Sequence, residues 1–421
     1  MVAAPLSPLS KKPTLVASFP VESPARLSCI ATFPVTTLSA HGYTPSNLVV
    51  PYRFTYSSLL NPYPQGVAKN PMLDEKQIRE LVAEHGNTVN EGRPIQQLID
   101  DGDLPRLSGA TVLEGKVSDS VFGDALVSAA GIPLRLMFRN NRISTHDVNR
   151  GAIPFKDQVL AFNHDHMLRL VVDVLGSSQF EVDGLLPSST VIPAENLELV
   201  SLENVLRLFM AESSTSTSLY QHWMQAKDAG ETVLHYAGHE MSIADLKPNG
   251  ILPYVMDTPS TKDKVDKTTD AQSLIAAGVC TQGQYNQIRN SSLMAFGMIT
   301  QYLAERGMVL VDTKTEHGIN SEGMIVAADE LYTMDSSRFW RLDENGDVLH
   351  RDGKPVSFSK EFARGMVKEK DQQFSDEQAG EIAVRYIDGL QHLTGVEFAP
   401  DLRPRDQRII ESVDLILDAL L

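Results

Sequence analysis

Met308-Val-Leu-Val-Asp-Thr-Lys-Thr-Glu-His-Gly318, continued by Ile-Asn-Ser-Glu-Gly-Met-Ile-Val-Ala-Ala-Asp-Glu330, starts as an apolar strand, turns charged halfway and doubles back. Strand side chains alternate faces, so Asp312, Lys314 and Glu316 share one face while Val311, Thr313 and Thr315 share the other. Asn320-Ser-Glu-Gly323 is a turn signal, and residues 324–328 are apolar enough to return along the same sheet before Asp329 and Glu330. Such a hairpin is expected to bring Asp329 close to Glu316. Two carboxylates in that relation repel one another unless a cation intervenes. Magnesium is commonly held by one or two carboxylates, with phosphate oxygens and water completing its shell. A solvated, salt-bridged strand face fits the same spacing, and spacing alone leaves both readings open.

Outward from the hairpin, the pattern predicts an α+β fold. Upstream, residues 282–305 read as a helix closed by Gly307. Downstream, Tyr332-Thr-Met-Asp-Ser-Ser-Arg-Phe-Trp340 supplies an acid, two hydroxyls and Arg338, whose fork suits phosphate or carboxylate. Asp335-Ser-Ser also fits a helix cap with Arg338 as its partner. Ser375 and Gln378 form a capping box, followed by Ile382, Tyr386, Leu390 and Leu393 at helical spacing, and Ile409, Val413, Leu417 and Leu420 repeat that stripe. Further helices are expected at 74–85, 203–211 and 216–229. Between residues 110 and 193, short β-branched runs at 110–117, 134–138 and 188–192 predict a β-rich region. The chain therefore divides into an irregular, Pro- and Ser-rich extension over 1–72, a β-rich unit over 73–199 and an α+β unit over 200–421.

A net charge of −17 on 421 residues disfavours nucleic acid and anionic membrane as partners, so cations for an anionic ligand must be local. No apolar run approaches the roughly 18 residues of a membrane span. Cys29 and Cys280 are far apart, which excludes a disulfide framework and suits a reducing cytoplasm. Residues 1–21 carry Lys11 and Lys12 and no acid, faintly like a transit peptide, but prolines at 5, 8, 13 and 20 break any amphipathic helix there.

The run Leu310-Val-Asp-Thr-Lys-Thr-Glu-His-Gly318, then Asp329-Glu330, then Thr333-Met-Asp-Ser-Ser-Arg-Phe-Trp340 closely resembles the signature of the phosphoribosylaminoimidazole-succinocarboxamide synthase (SAICAR synthase) family. Glu114-Gly-Lys-Val-Ser-Asp119 resembles that family's nucleotide-binding opening strand, and Asn141-Arg-Ile-Ser-Thr-His-Asp147 its Ser…Asp segment. Asp257-Thr-Pro-Ser-Thr-Lys262 resembles its Thr-Pro-x-Thr-Lys loop, and the likeness spans about residues 111–395.

The resemblance implies a two-lobed α+β fold, with a β-rich nucleotide lobe and a larger lobe ending in helices. It implies a ligase that uses ATP and Mg²⁺ to join aspartate to the carboxylate of an aminoimidazole ribotide, with small-molecule partners and a monomeric or homo-oligomeric state. Lys116 and Ser118 would meet the nucleotide beside Lys314, with Glu316 and Asp329 holding the metal. Arg207, Ser213 and Arg338 would clamp the anionic substrates, joined by Ser144, Asp147 and Lys262. Asp335, Ser337, Lys360 and Arg364 complete the implied substrate set, and Lys314, Arg338 and Asp312 the catalytic one.

Departures from the family pattern are informative. Glu212-Ser213 stands where relatives have Gly-Ser, the segment 266–270 lacks a His-Asp pair, Pro154-Phe-Lys-Asp-Gln158 replaces a glycine-rich turn, and His317 replaces an aromatic. They leave open the same chemistry on another carboxylated nucleotide or amine, or a nucleotide binder without turnover. Residues 109–116 lack P-loop spacing, and neither His239-Glu240 nor His164-Asp-His166 has the ligands of a zinc site.

Overall fold

The computed structural model describes residues 72–145, 148–262, 267–369 and 371–421. The extension over 1–72, Met72 apart, and Asp147 lie outside the described residues.

The described strands are β1 (Thr111–Leu113), β2 (Ser118–Val127), β3 (Pro133–Arg139), β4 (Arg142–Thr145), β5 (Val148–Ala152), β6 (Val191–Glu195), β7 (Glu198–Leu199), β8 (Leu202–Phe209), β9 (Val233–Tyr236), β10 (His239–Ser242), β11 (Ile251–Asp257), β12 (Ser260–Thr261), β13 (Met308–Ile319), β14 (Ile325–Ala328), β15 (Ser337–Arg341), β16 (His350–Arg351), β17 (Lys354–Pro355) and β18 (Ser357–Phe358). The described helices are α1 (Glu75–Asn90), α2 (Ile95–Asp100), α3 (Lys156–Leu175), α4 (Leu219–Asp228), α5 (Ala271–Ala276), α6 (Gln282–Ala304), α7 (Glu361–Gly365), α8 (Asp376–Thr394) and α9 (Arg405–Leu420).

The charged strand lies at the middle of the larger sheet, β11-β8-β13-β15-β18, in which β14 and β7 also pair with β13 and β12 pairs with β8. All of its pairings are antiparallel. A smaller antiparallel sheet runs β1-β2-β3-β6. Val311, Thr313, Thr315 and His317 are all buried on β13.

The main core gathers Leu206 and Leu208 of β8, Leu310 of β13, Ile299 and Leu303 of α6, Val159 and Val171 of α3, and Ile387 and Leu390 of α8. Each such side chain contributes about 1.5–3 kcal/mol by leaving water. A second core lies under the smaller sheet, where Leu134, Leu136 and Phe138 of β3 meet Ile95 and Leu98 of α2 and Ile409, Val413, Ile416 and Leu417 of α9. The cores do not follow chain order, since the C-terminal helix packs on the N-terminal sheet.

Helix ends follow their caps. Asp74, Thr281 and Ser375 each form a capping box, with Gln77, Gln284 and Gln378, and Gly395 closes α8 at φ +71°.

Two expectations fail. Residues 203–209 lie in strand β8, not a helix: Asn204 is buried on the core face and Val205 stands among the charged residues of the other, so the period-two signal is lost and apolar residues fall at helix-like intervals. The region 110–193 is not β throughout, because α3 occupies 20 residues of it. Most of α3 is buried on every side and its N-cap, Phe155, makes no side-chain cap bond, so neither amphipathic stripe nor cap marks it.

Candidate active site

Antiparallel register sets Asp312 of β13 opposite Arg207 of β8 on one side and opposite Arg338 of β15 on the other. One carboxylate therefore serves two guanidinium groups. Arg338 Nη2 lies 2.7 Å and Arg207 Nη1 3.2 Å from Asp312 Oδ2. Asp312 is 10% exposed and each arginine 14%, enough for the outer edges to meet a ligand. Arg207 Nε also donates to Thr258 Oγ1 at 3.1 Å, and Arg338 Nη1 to the Glu212 carbonyl at 3.1 Å. Burial opposes the Arg338 charge, but Asp312 outweighs it and holds the guanidinium above its usual range. Ser213, buried next to Glu212, accepts from the Thr215 amide at 3.2 Å.

Two residues along the same face, Lys314 Nζ reaches Glu203 Oε1 at 2.5 Å and Glu316 Oε1 at 3.1 Å. Burial opposes this ammonium too, but the two acids outweigh it and raise it above its usual range. The second Glu316 oxygen takes Lys262. The expected face thus forms, from Arg207, Asp312, Lys314, Glu316, Arg338 and Lys262, with Glu203 as an addition. Ser337 does not join it: its hydroxyl meets Thr313 Oγ1 at 2.8 Å and is buried on the opposite face. The alternation that puts Arg338 on the clamp turns Ser337 away.

Strand β3 approaches Asp329 through a residue the sequence reading passed over. Arg139, at the end of β3 and fully buried, donates to Ser118 Oγ at 2.8 Å and meets Asp329 Oδ1 at 3.3 Å. Its Nε and Nη2 have no hydrogen-bond partner among the described residues. Lys116 is exposed in the turn before β2. Gly115 beside it is obligatory, because a Cβ there would lie 2.2 Å from the Ser118 carbonyl oxygen.

The register places Ala328, not Asp329, opposite Glu316. Asp329 follows with φ +57°, a strained left-handed conformation that redirects its half-exposed carboxylate toward Arg139. Among the described residues no three His, Cys, Asp or Glu side chains converge as a metal cage. The donor chemistry fits magnesium held by two carboxylates and completed by phosphate oxygens and water.

Asp335 lies apart from this face. It is 1% exposed, accepting from Tyr386 at 2.5 Å on Oδ1, while Lys156 at 3.0 Å and Lys360 at 3.4 Å share Oδ2. Burial works against its charge, but the two lysines outweigh it and hold the carboxyl well below its usual range. Both oxygens are engaged, so the expected substrate contact is replaced by an anchor. Glu330 nearby is pushed up by burial and by the Asp335 charge, and accepts from Thr333 Oγ1 at 2.6 Å. Arg364 pairs with Glu361 at 2.8 Å, and Ser144 sits on β4 opposite Asn149.

His164 and His166 are buried on α3, and burial drives both down to about 3. They bond to the Leu331 amide and the Tyr302 hydroxyl, respectively, rather than to a metal. A groove of about 490 Å³ lies along α3 and the 177–193 segment, lined by Arg169, Gln179, Phe180 and Leu186, and shares no residue with the charged face.

Sequence reading missed Glu203, Arg139, Lys156 and Tyr386. Glu203 was hidden in the misread helix, and Arg139 follows directly on the apolar run 134–138. Lys156 and Tyr386 look like ordinary surface and core residues until the fold joins them.

A family model described as SAICAR synthetase matches residues 129–380. The chain is 28% identical over 278 residues to a putative phosphoribosylaminoimidazole-succinocarboxamide synthase 2 of Agrobacterium fabrum, covering 63% of this chain and 84% of that one. It is 28% identical over 313 residues to phosphoribosylaminoimidazole-succinocarboxamide synthase of Legionella pneumophila, with 71% and 93% covered, and 29% identical over 326 residues to the chloroplastic enzyme of Arabidopsis thaliana, with 73% of each covered. Among solved structures, the Saccharomyces cerevisiae SAICAR synthase complexed with SAICAR superposes with a TM-score of 0.57 at 20% identity, over 74% of this chain and all of that one.

Proposed function

We propose, from the premise that this chain belongs to the SAICAR synthetase family, that it is an ATP-dependent ligase of purine biosynthesis joining L-aspartate to the carboxylate of carboxyaminoimidazole ribotide. The observation that carries this reading is the Arg207–Asp312–Arg338 clamp with Lys314 and Glu316 on the same face.

A carboxylate resists attack by an amine because it is already anionic. Transfer of the γ-phosphoryl group of ATP to a carboxylate oxygen releases ADP and makes an acyl phosphate. The aspartate amine then attacks the carbonyl carbon, phosphate departs, and the nitrogen loses a proton to leave the amide. Catalysis of this kind rests on positioning and on neutralising the phosphoryl charge. Arg207 and Arg338 hold the anionic ribotide by forked donors, and Asp312 keeps both forks on one face of the sheet. Lys314, poised between Glu203 and Glu316, neutralises charge on the transferring group. Lys116 and Ser118 contact the nucleotide, and Lys262, Ser144 and Ser213 line the remaining substrate surface. Glu316 and Asp329 would hold Mg²⁺, which when bound would neutralise phosphate charge and orient the transferring group. The enzyme works in the cytoplasm on small molecules.

One feature favours a second reading, in which the chemistry is kept but the carboxylated substrate differs. The Glu212 side chain is exposed next to the carbonyl that Arg338 grips, placing a negative charge at the rim of the clamp. Both are tested by incubating the full chain with ATP, Mg²⁺, carboxyaminoimidazole ribotide and aspartate, following phosphate and the succinocarboxamide product. Product that needs all components supports the first reading. Phosphate release with other carboxylate and amine pairs, and none with this one, overturns it in favour of the second.

A further inference from the structure

The anion clamp needs Arg338 at a fixed place, yet Arg338 follows directly on a loop with unfavourable backbone geometry. Between β14 and β15 the chain passes Asp329 at φ +57° and Tyr332 at φ +50°, neither of them glycine. Conformations of that kind persist only where surrounding structure over-determines them.

Helix α3 supplies three grips on this loop. His164 Nδ1 accepts from the Leu331 amide at 2.9 Å, Asn163 Nδ2 donates to the Tyr332 carbonyl at 3.2 Å, and Lys156 Nζ lies 3.0 Å from Asp335 Oδ2. Asn163 and His164 follow Lys156 by seven and eight positions, about two helical turns, which brings both round to the side of the helix that Lys156 occupies. The Lys156 grip is the one nearest Arg338 and the one that carries charge. Its side chain is wholly enclosed, and Phe155 before it adopts φ +64°, so the backbone is strained where it turns this lysine inward.

An enclosed ion pair adds little to stability compared with a well-packed apolar pair, which turns attention to what the pair specifies. Asp335 is met from two further directions, by Tyr386 of α8 and by Lys360 at the start of α7, and the Lys360 amide donates to the neighbouring Met334 carbonyl at 3.0 Å. The end of the turn is tied to the charged strand, since the Lys314 amide donates to the Ser336 carbonyl at 3.0 Å. A displaced Asp335 would thus carry Ser336, and with it Arg338, out of register with Asp312.

We propose that Lys156 is a positioning residue for the anion clamp, fixing through Asp335 the turn that delivers Arg338 to Asp312. It touches no substrate. The proposal rests on the ligase reading for its kinetic arm, and a second arm reads the turn without any ligand.

The test compares wild type, Lys156→Met and the double variant Lys156→Met/Asp335→Leu, the last keeping the protein folded if the single variant is too unstable to purify. In each, KM is measured separately for the ribotide, ATP and aspartate, and amide hydrogen exchange is followed at residues 336–338 in the unliganded protein. Expected are a rise of about tenfold or more in ribotide KM with ATP KM within about twofold, and exchange at 336–338 faster by about tenfold while α9 is unchanged. The double variant should regain stability but keep both defects. A folded variant with unchanged exchange at 336–338, or a double variant restored to wild type in both readouts, overturns the proposal. Wild-type protein without turnover defeats the ligase reading instead, and the exchange arm still decides the role of Lys156.

Discussion

Two carboxylates in this molecule stand between two cations each, and they behave as opposites. Asp312 meets Arg207 and Arg338 on the face of the larger sheet, with all three side chains 10–14% exposed. Asp335 meets Lys156 and Lys360 beneath that sheet, at 1% exposure, with a tyrosine closing its other oxygen. At the first, guanidinium edges remain for an incoming anion. At the second, both carboxylate oxygens are taken by side chains of the protein itself. The same ingredients make a binding surface where the lattice of partners is left open and a fastening where it is closed.

That contrast predicts a split between stability and activity. The largest effect is expected from Asp335→Asn, which leaves the enclosed Lys156 without its counter-charge and should cost about 3–5 kcal/mol, read as a lower urea midpoint. Asp312→Asn should shift the same midpoint far less, and an equal shift would erase the distinction. Next comes Arg338→Ala, expected to lower kcat/KM by about 10²–10³-fold with little change in melting temperature, as removal of one preorganised donor does. A large drop in melting temperature with modest loss of activity would place Arg338 among the fastenings.

The closed interior also makes an acid-sensitive prediction. His164 and His166 are driven down to about 3 and His317 to about 4 by burial, so they stay neutral in the folded protein while the unfolded chain takes up protons below its ordinary value of 6.5. Stability is therefore full above pH 6.5 and falls as the pH drops toward those values, by about 2 kcal/mol per histidine at pH 5. A urea midpoint that is flat between pH 7 and 5 would contradict it. The smallest effect belongs to the exposed Arg79–Glu381 pair, where Arg79→Ala should cost no more than about 1 kcal/mol and lose that difference in high salt.

How much of this was legible varies with where period and pattern survive. The β13–β14 hairpin, the charged face of β13 and the capping box of α8 were readable because charged residues alternate with apolar or hydroxyl ones along β13 and caps are local. Strand β8 and helix α3 were not, since β8 carries Asn204 on its buried face and Val205 on its charged one, and most of α3 is buried on every side. Arg207, Asp312, Lys314, Glu316 and Arg338 were named from the sequence and the fold gathers them on one face, but their pairing depends on register between strands about 100 residues apart in the chain, which no local pattern encodes. Ser337 and Asp335 were assigned to the substrate with Arg338 because they adjoin it, and the pleat and the inward turn of the loop send them elsewhere. Asp329 was expected against Glu316, and one left-handed residue re-aimed it.

Helix α9 fills the core beneath the smaller sheet with Ile409, Val413, Ile416 and Leu417. On a ribosome the N-terminal sheet emerges some 200 residues before the segment that covers it. Its apolar underside must therefore wait through seconds of synthesis, at rates of about 5–20 residues per second, before α9 is made. That interval makes the nascent chain a client for whatever shields apolar surface in the meantime.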